Sequence, residues 1–400
     1  MSLFERLIAT IVSDAAKERA RDRLLRFAAG LPPAVIKSSA KTLAALPSLR
    51  ANHAPETLFF FVTNKCNQSC IHCFYAAELN VPQQGMTLEN IQTMCRSIAG
   101  RIDTVFLCGG EPTTRKDLPE IVEAFIEVAG VSRLFITTNG ILRKRLMETI
   151  DRALASPRKF QLRIPISLDG PQEIHDQIRK SPGGFERAVE TLHILRERAA
   201  LDSRLTPLVT SVIQKGNADS FVEFYKHIRR DIGCELQFIL LRQDGRDAGG
   251  LDKTILLDAG NAEDLLPDQG KCEEILNDIA EYEMTRPEKS SVPLLRAAFA
   301  RKHLELVSEA KPVAPCVAPR TFATVFPDGG TSLCEIVLPH GNLKDFDYDL
   351  IAAWNSNTAE DQRAQLSSCW CTYPCALHTS IMRDPDALSD TLKLVKRDLR

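Results

Sequence analysis

The chain has no run of 18 apolar residues, so no transmembrane helix of ordinary length is expected in its 400 positions. Its first residues lack a compact apolar core followed by a small-residue cleavage site, so no export signal is expected. An excess of one charge is missing as well. Fifty basic residues stand against 52 acidic ones, a net −2 that argues against a nucleic-acid partner. No GxxxxGKS/T, GxGxxG or HExxH string occurs, leaving a P-loop, a dinucleotide fingerprint and a zincin site without support. Low-complexity segments and internal repeats are absent too. The length suits one large domain plus a smaller one, or two ordinary ones, and is ample for stability without disulfides.

Cysteine is what the chain does have, 12 in all. With no export signal, that number points to reduced thiols and metal binding in a cytoplasmic protein. The densest group is CNQSCIHC, holding Cys66, Cys70 and Cys73. It follows Leu58–Thr63, an unbroken apolar run of strand type. Three thiolates on the loop leaving a buried strand would hold a 4Fe–4S cube at three irons, with the fourth iron open to a small molecule. Zinc is the plainer alternative, but it favours two separated pairs of ligands. His72, squeezed between Ile71 and Cys73, is a poor fourth ligand for one ion.

Strand-like runs recur at Leu58–Thr63, Thr104–Cys108, Arg133–Thr137, Leu162–Leu168, Leu208–Ile213 and Leu236–Leu241. Amphipathic stretches near 88–99, 118–129, 143–155, 184–199 and 220–231 separate them. Such alternation predicts an α/β fold, a parallel sheet curved into an open, partial (β/α)6 TIM-like barrel whose site lies at the strand C-termini. Loops at that mouth carry Gly109-Gly110-Glu111-Pro112, then Asn139-Gly140, then Ser167-Leu168-Asp169-Gly170. The glycines would let backbone approach a ligand closely, and the small polar side chains could hydrogen-bond a ribose. Arg179, in HDQIR, offers a guanidinium able to fork onto a carboxylate. Taken singly, each could be an ordinary turn or a surface charge.

Together the C-x3-C-x2-C triplet, GGEP after the second strand and the string SLDGPQEIHDQIRKSPGGF resemble the radical S-adenosylmethionine (radical SAM) superfamily. The resemblance implies a 4Fe–4S cluster on Cys66, Cys70 and Cys73 whose open iron binds SAM. It implies SAM contacts from Gly109, Gly110, Glu111, Asn139, Ser167, Asp169 and Arg179, with GGEP at the amino group and Arg179 at the carboxylate. Reductive cleavage would give a 5′-deoxyadenosyl radical, fed by an external low-potential donor of flavodoxin or ferredoxin type. The low potential this needs accords with three thiolates and little positive charge nearby.

A second set of thiols lies in the C-terminal quarter: Cys316, Cys334, Cys369, Cys371 and Cys375. Between the first two, Phe322–Phe326 and Pro327-Asp328-Gly329-Gly330 read as a strand and a hairpin turn. This resembles the small SPASM and twitch auxiliary-cluster domains, and five cysteines instead of seven imply one auxiliary 4Fe–4S cluster. Cys316, Cys334 and Cys375 are the first choices as ligands, with Cys369 and Cys371 competing for the remaining place. A structural zinc is the competing reading. Cys95, Cys108, Cys234 and Cys272 read as small buried hydrophobes.

The expected organisation is a basic amphipathic helical extension over 1–50, a core over 55–245, a helical bridge over 246–310, an auxiliary-cluster domain over 311–385 and a tail over 386–400. The extension carries nine basic residues against four acidic ones. Its apolar face suits packing on the main domain, and membrane-surface contact through 1–30 is the alternative. Gln237, Arg242, Asp244 and Arg246 are candidate substrate contacts. The expected function is oxidation or modification of an unactivated C–H in a peptide or small molecule. A non-catalytic iron–sulfur or zinc scaffold is the alternative.

Overall fold

A computed structural model describes residues 54–241, 265–286 and 292–398. The basic extension and the candidates Arg242, Asp244 and Arg246 lie outside the described residues. Among the described residues no helix is long and apolar enough to cross a membrane.

The first half alternates as the hydrophobic pattern predicts. β1 (Thr57–Thr63), α1 (Leu88–Ser97), β2 (Thr104–Gly109), α2 (Leu118–Glu123, prolonged by a wider turn over Ala124–Ala129) and β3 (Arg133–Ile136) come first. Then follow α3 (Arg143–Leu154), β4 (Gln161–Ser167), α4 (Gln172–Arg179), α5 (Gly184–Leu201), β5 (Leu205–Ile213), α6 (Phe221–His227, running on through Ile232) and β6 (Leu236–Leu240). All six strands pair in parallel, in the order β6-β5-β4-β3-β2-β1. The local causes are visible in α1. Thr87 caps it by accepting from the Asn90 N–H, and Ile91, Met94 and Cys95 turn one buried face to the sheet.

The sheet has two unlike faces. Val105, Leu107, Leu134, Ile136, Leu162, Ile164 and Leu236 are buried under the helices. Their neighbours Phe106, Phe135, Arg163, Thr210 and Gln237 are only half-buried and border the barrel lumen. On that side Phe59 stacks on Phe106 at 5.0 Å and Phe106 on Phe135 at 4.2 Å, with the Arg163 guanidinium 5.7 Å from the Phe135 ring centre.

The C-terminal part departs from the expected outline in two places. After α7 (Gln269–Thr285), α8 (Val292–Glu309) and the single turn α9 (Ala318–Thr321), the hairpin strands β7 (Phe322–Val325) and β8 (Gly330–Ser332) do not stand apart. β7 lies parallel to β1 from Thr57↔Phe322 to Phe60↔Val325, and β8 and β9 (Gly341–Asn342) extend the same nine-stranded sheet. A run as apolar as LFFFV is a hazard at a sheet edge, and β7 removes that edge. The second departure is residues 386–400, expected as a tail. α10 (Leu350–Trp354), α11 (Asn357–Gln365) and α12 (Pro374–Arg383) are followed by α13 (Pro385–Asp398), an ordered helix. Leu388, Leu392 and Val395 of α13 are buried in a second core with Leu294, Leu295 and Phe299 of α8 and Leu377 and Ile381 of α12. The spacing i, i+4, i+7 was the sequence signal for it.

Two outcomes follow for stability. Leu392→Ala should destabilise the protein by about 2–4 kcal/mol, seen as a lower urea midpoint; a mere tail would show no change. On α8, His303 is 3 % exposed and its Nε2 finds no hydrogen-bond partner, so burial holds its pKa down at about 4 against an ordinary 6.5. The unfolded chain therefore takes up the proton first. The contribution is fully present above pH 6.5 and is lost as pH falls toward 4, by up to about 3 kcal/mol. His303→Leu should flatten the melting-temperature profile over that window.

Candidate active site

The loop that leaves β1 is closed on itself before any metal is considered. Asn64 donates through Nδ2 to the Glu78 carbonyl at 3.0 Å and to the Val81 carbonyl at 2.7 Å. Asn80, in a left-handed conformation at φ 61°, accepts from the Cys66 N–H at 3.0 Å and donates to the Cys66 carbonyl at 3.3 Å. Cys66, Cys70 and Cys73 sit half-buried inside this excursion. The Cys73 N–H bonds the Cys70 carbonyl, and the Ile71 N–H bonds the Ile178 carbonyl at the end of α4.

Gly109 and Gly110 make a close approach, but to backbone. A Cβ on Gly109 would lie 2.3 Å from the Thr63 carbonyl oxygen, and one on Gly110 2.2 Å from that of Lys65. Gly110 N–H donates to the Thr63 carbonyl and Glu111 N–H to the Lys65 carbonyl, both at 2.8 Å. Their close approach to the root of the thiol loop is a role that the sequence did not suggest. They bolt the second strand's loop to the root of the thiol loop.

Glu111 turns inward. Its Oε1 accepts from the Thr113 and Thr138 hydroxyls, each at 2.6 Å, and its Oε2 accepts from the Asn139 N–H at 2.7 Å. Burial pushes its carboxyl pKa up, and these donors oppose that. Asn139 in turn donates through Nδ2 to Asn67 Oδ1, inside the thiol loop, at 2.8 Å. Ser167 ends β4, its N–H on the Thr138 carbonyl.

Asp169 and Arg179 find each other. Arg179 places Nε and Nη2 on Asp169 Oδ2, both at 2.8 Å, while the Val212 N–H donates to Oδ1 at 2.9 Å. The Arg179 charge and these donors overcome burial and hold Asp169 below the usual carboxylate range. The remaining arm of Arg179, Nη1, points at Cys70 Sγ at 3.8 Å. Two expectations change here. The guanidinium fork rests on Asp169 instead of lying free for a ligand carboxylate, and the triplet does have a cation beside it.

Sequence reasoning passed over Gln214. It follows β5 as Asn139 follows β3 and Asp169 follows β4, and that repetition was the available signal. Gln214 Nε2 meets His72 Nδ1 at 2.9 Å, and Asn217 Nδ2 donates to the Asp169 carbonyl at 2.8 Å. Buried polar atoms without protein partners surround the loop: Gln68 Nε2, His175 Nε2 and Gln214 Oε1. Burial also pushes the Cys66 thiol up to about 12, so its thiolate needs a cation. A thiolate-bound cluster fits that donor set. Among the described residues no group of three or more His, Cys, Asp or Glu side chains is arranged to hold a single metal ion.

The second set is gathered more closely than the sequence suggested. Cys369 lies within hydrogen-bonding reach of both Cys316 and Cys371, and Cys334 feels the charges of Cys371 and Cys316. Cys316 is the more acidic of its pair because Cys369 donates to it; the Cys369 thiol is correspondingly raised. Cys369 and Cys371 both lie beside this group of thiols. Cys375 stands half-buried in the first turn of α12. Of the single cysteines, Cys95, Cys234 and Cys272 are buried, while Cys108 is half-buried with Sγ 3.7 Å from the Phe60 carbonyl.

Residues 60–228 match the Radical SAM superfamily. The chain is 30 % identical over 206 residues to mycofactocin maturase MftC of Mycolicibacterium smegmatis, covering 50 % of this chain and 48 % of that one. It is 32 % identical over 148 residues to the AdoMet-dependent heme synthase of Methanosarcina barkeri, covering 36 % and 40 %. These matches span less than half of either relative. Among solved structures, native anSMEcpe with bound AdoMet superposes with a TM-score of 0.56 at 16 % identity, covering 86 % of this chain and 97 % of that one. Streptococcus suis SuiB bound to the precursor peptide SuiA gives 0.54 at 14 %, covering 95 % and 88 %. At those identities the likeness is one of fold.

The bolt between the two loops is testable. Gly110→Ala should cost about 1–3 kcal/mol in melting experiments and lower the iron retained after anaerobic reconstitution. Gly85→Ala, whose added methyl would meet only the Pro327 carbonyl at 3.5 Å, should do neither.

Proposed function

We propose, from the premise that residues 60–228 of this chain belong to the radical SAM superfamily, that the protein is an enzyme that cleaves SAM reductively and modifies an unactivated C–H of a peptide or small molecule. One observation carries this reading. Three thiols hang from the end of β1 on a loop tied to the ends of β2 and β3 through Gly110 and Asn139, and to the end of α4 through Arg179.

Cys66, Cys70 and Cys73 would hold the cluster. When bound, it and SAM supply a 5′-deoxyadenosyl radical able to take hydrogen from carbon. The chain's own part is placement. Arg179 favours the Cys70 thiolate by charge, while Asp169 balances that charge so the site is not strongly cationic. Glu111 fixes the Asn139 backbone under the thiol loop. Ser167, at the end of β4, is the candidate for ribose, and Gln214 Oε1, buried and unpaired beside His72, is a further acceptor at the mouth. Backbone groups of Gly109 to Glu111 remain the candidates for the amino group of SAM.

We further infer one auxiliary 4Fe–4S cluster, held by Cys316, Cys334, Cys369 and Cys371 with Cys375 adjoining. The gathering of four of these thiols supports it. Held there, such a cluster would supply a one-electron acceptor for a two-electron oxidation of substrate. An external low-potential donor would supply the first cluster. A cytoplasmic setting belongs to the same proposal, as does packing of the 1–50 extension on the main domain, with membrane-surface contact through 1–30 as the alternative.

Anaerobic reconstitution, then dithionite and SAM, should yield 5′-deoxyadenosine; iron-loaded protein yielding none would end the enzyme reading in favour of a scaffold. Cys66→Ala should abolish the product. Wild type should carry about eight irons, and Cys316→Ala with Cys334→Ala about four, with SAM cleavage retained in folded protein. Zinc in the second set would appear directly in the metal analysis.

A further inference from the structure

The lumen side of the sheet holds a charge imbalance that the chemistry at the mouth does not use. Arg163 stands on β4 four residues below Ser167, about 13 Å beneath the strand ends at 3.3 Å per residue. Its Nε is buried with no hydrogen-bond partner, and among the described residues it has no ion pair. Arg296 comes toward it from α8. That side chain gives Nη2 to Glu235 Oε1 at 2.8 Å, while its own Nε is likewise buried and unpartnered. The two guanidiniums are near enough for Arg163 to disfavour the charged form of Arg296, and burial acts in the same direction. Glu235 is the carboxylate that Arg296 holds.

A guanidinium out of bulk water with a free N–H is costly unless a planar acceptor meets it. A carboxylate is the acceptor whose two oxygens match that fork. The surroundings set what adjoins it. Phe135 lies under Arg163, and Phe106 stacks on Phe135, both half-buried on the lumen side. Tyr225 and His378, the latter stacked on Phe299 at 4.3 Å, are the other titratable groups close to Arg296. Burial keeps both neutral at pH 7, so they add no competing charge.

We propose that the lumen anchors substrate by a carboxylate held between Arg163 and Arg296, with an apolar or aromatic group of the same molecule against Phe106 and Phe135. This rests on the enzyme reading above and gives it a substrate class. A carboxylate fixed at that depth leaves an arm of roughly 10 Å to reach the mouth, which suits an arylalkyl acid or the free C-terminus of a peptide.

The test is binding to the full-length reconstituted protein, read by fluorine NMR without turnover. 4-Fluorophenylacetate should bind, and 4-fluorophenylacetamide about tenfold or more weakly. An N-acetyl dipeptide ending in 4-fluorophenylalanine, compared with its C-terminal amide, distinguishes a peptide terminus from a small acid. A preference for the free carboxylate in either pair supports the proposal. Arg163→Gln should erase the acid–amide difference, Arg163→Lys should restore part of it, and Glu235→Gln should tighten acid binding by freeing Arg296. Circular dichroism and melting show which variants are folded. Equal binding of acids and amides, no acid binding at millimolar concentration, or folded Arg163→Gln that still discriminates would each overturn it. A wild type that discriminates yet makes no 5′-deoxyadenosine would sink the enzyme reading and leave the anion site standing.

Discussion

Strand β1 is hydrogen-bonded along both sides, to β2 on one and to β7 on the other. That double pairing is the constraint on which the remaining arrangement depends. The strand's C-terminal end carries the first thiol loop, and the strand beside it leads into the hairpin that carries Cys334. Both thiol sets are therefore positioned from one ladder. The rings between them continue the tie. Tyr75, two residues beyond Cys73, packs on Phe61 at 5.0 Å and on Phe326 at 6.5 Å between ring centres. Burial accounts for the strand's stability, and the absence of any free edge accounts for its fixed register.

Around that strand the barrel mouth is organised by side chains that satisfy one another. Glu111 binds backbone and hydroxyls from two loops; Asp169 and Arg179 form an ion pair that also touches Cys70. Such groups have few oxygens or N–H left for a ligand. They act by positioning Asn139, the Gly109–Glu111 backbone and the thiols. Their removal would leave a partner charge or donor stranded in a low-dielectric place, which is why they come as sets.

Much of this was legible in the sequence. Six apolar runs separated by amphipathic stretches predicted the parallel strands within a few residues, because period and length alone distinguish them. The thiol loop, the strand-end polar residues and the hairpin turn were legible for the same local reason. What was not legible depends on partners distant in the chain. Nothing in Phe322–Val325 says that it will pair with Thr57–Phe60, and nothing in Arg179 says that its fork will be taken by Asp169 instead of by a small molecule. The glycines of GGEP were read for a ligand, and nothing in the sequence showed that the Thr63 and Lys65 backbone also lies against them. Gln214 and α13 are a different kind of miss, since strand-end position and i, i+4, i+7 spacing were both on view.

The pairing of Thr57 with Phe322 has a consequence for how the protein is made. The second neighbour of the first strand is translated 265 residues after it (322 minus 57), which at ordinary ribosomal speed is about 10–50 s. Through that interval the nascent chain presents a phenylalanine-rich flank and three unprotected sulfhydryls to the cell. Contact order this high favours slow completion. Until residue 325 has emerged, one edge of the first strand stays open to pairing with other chains.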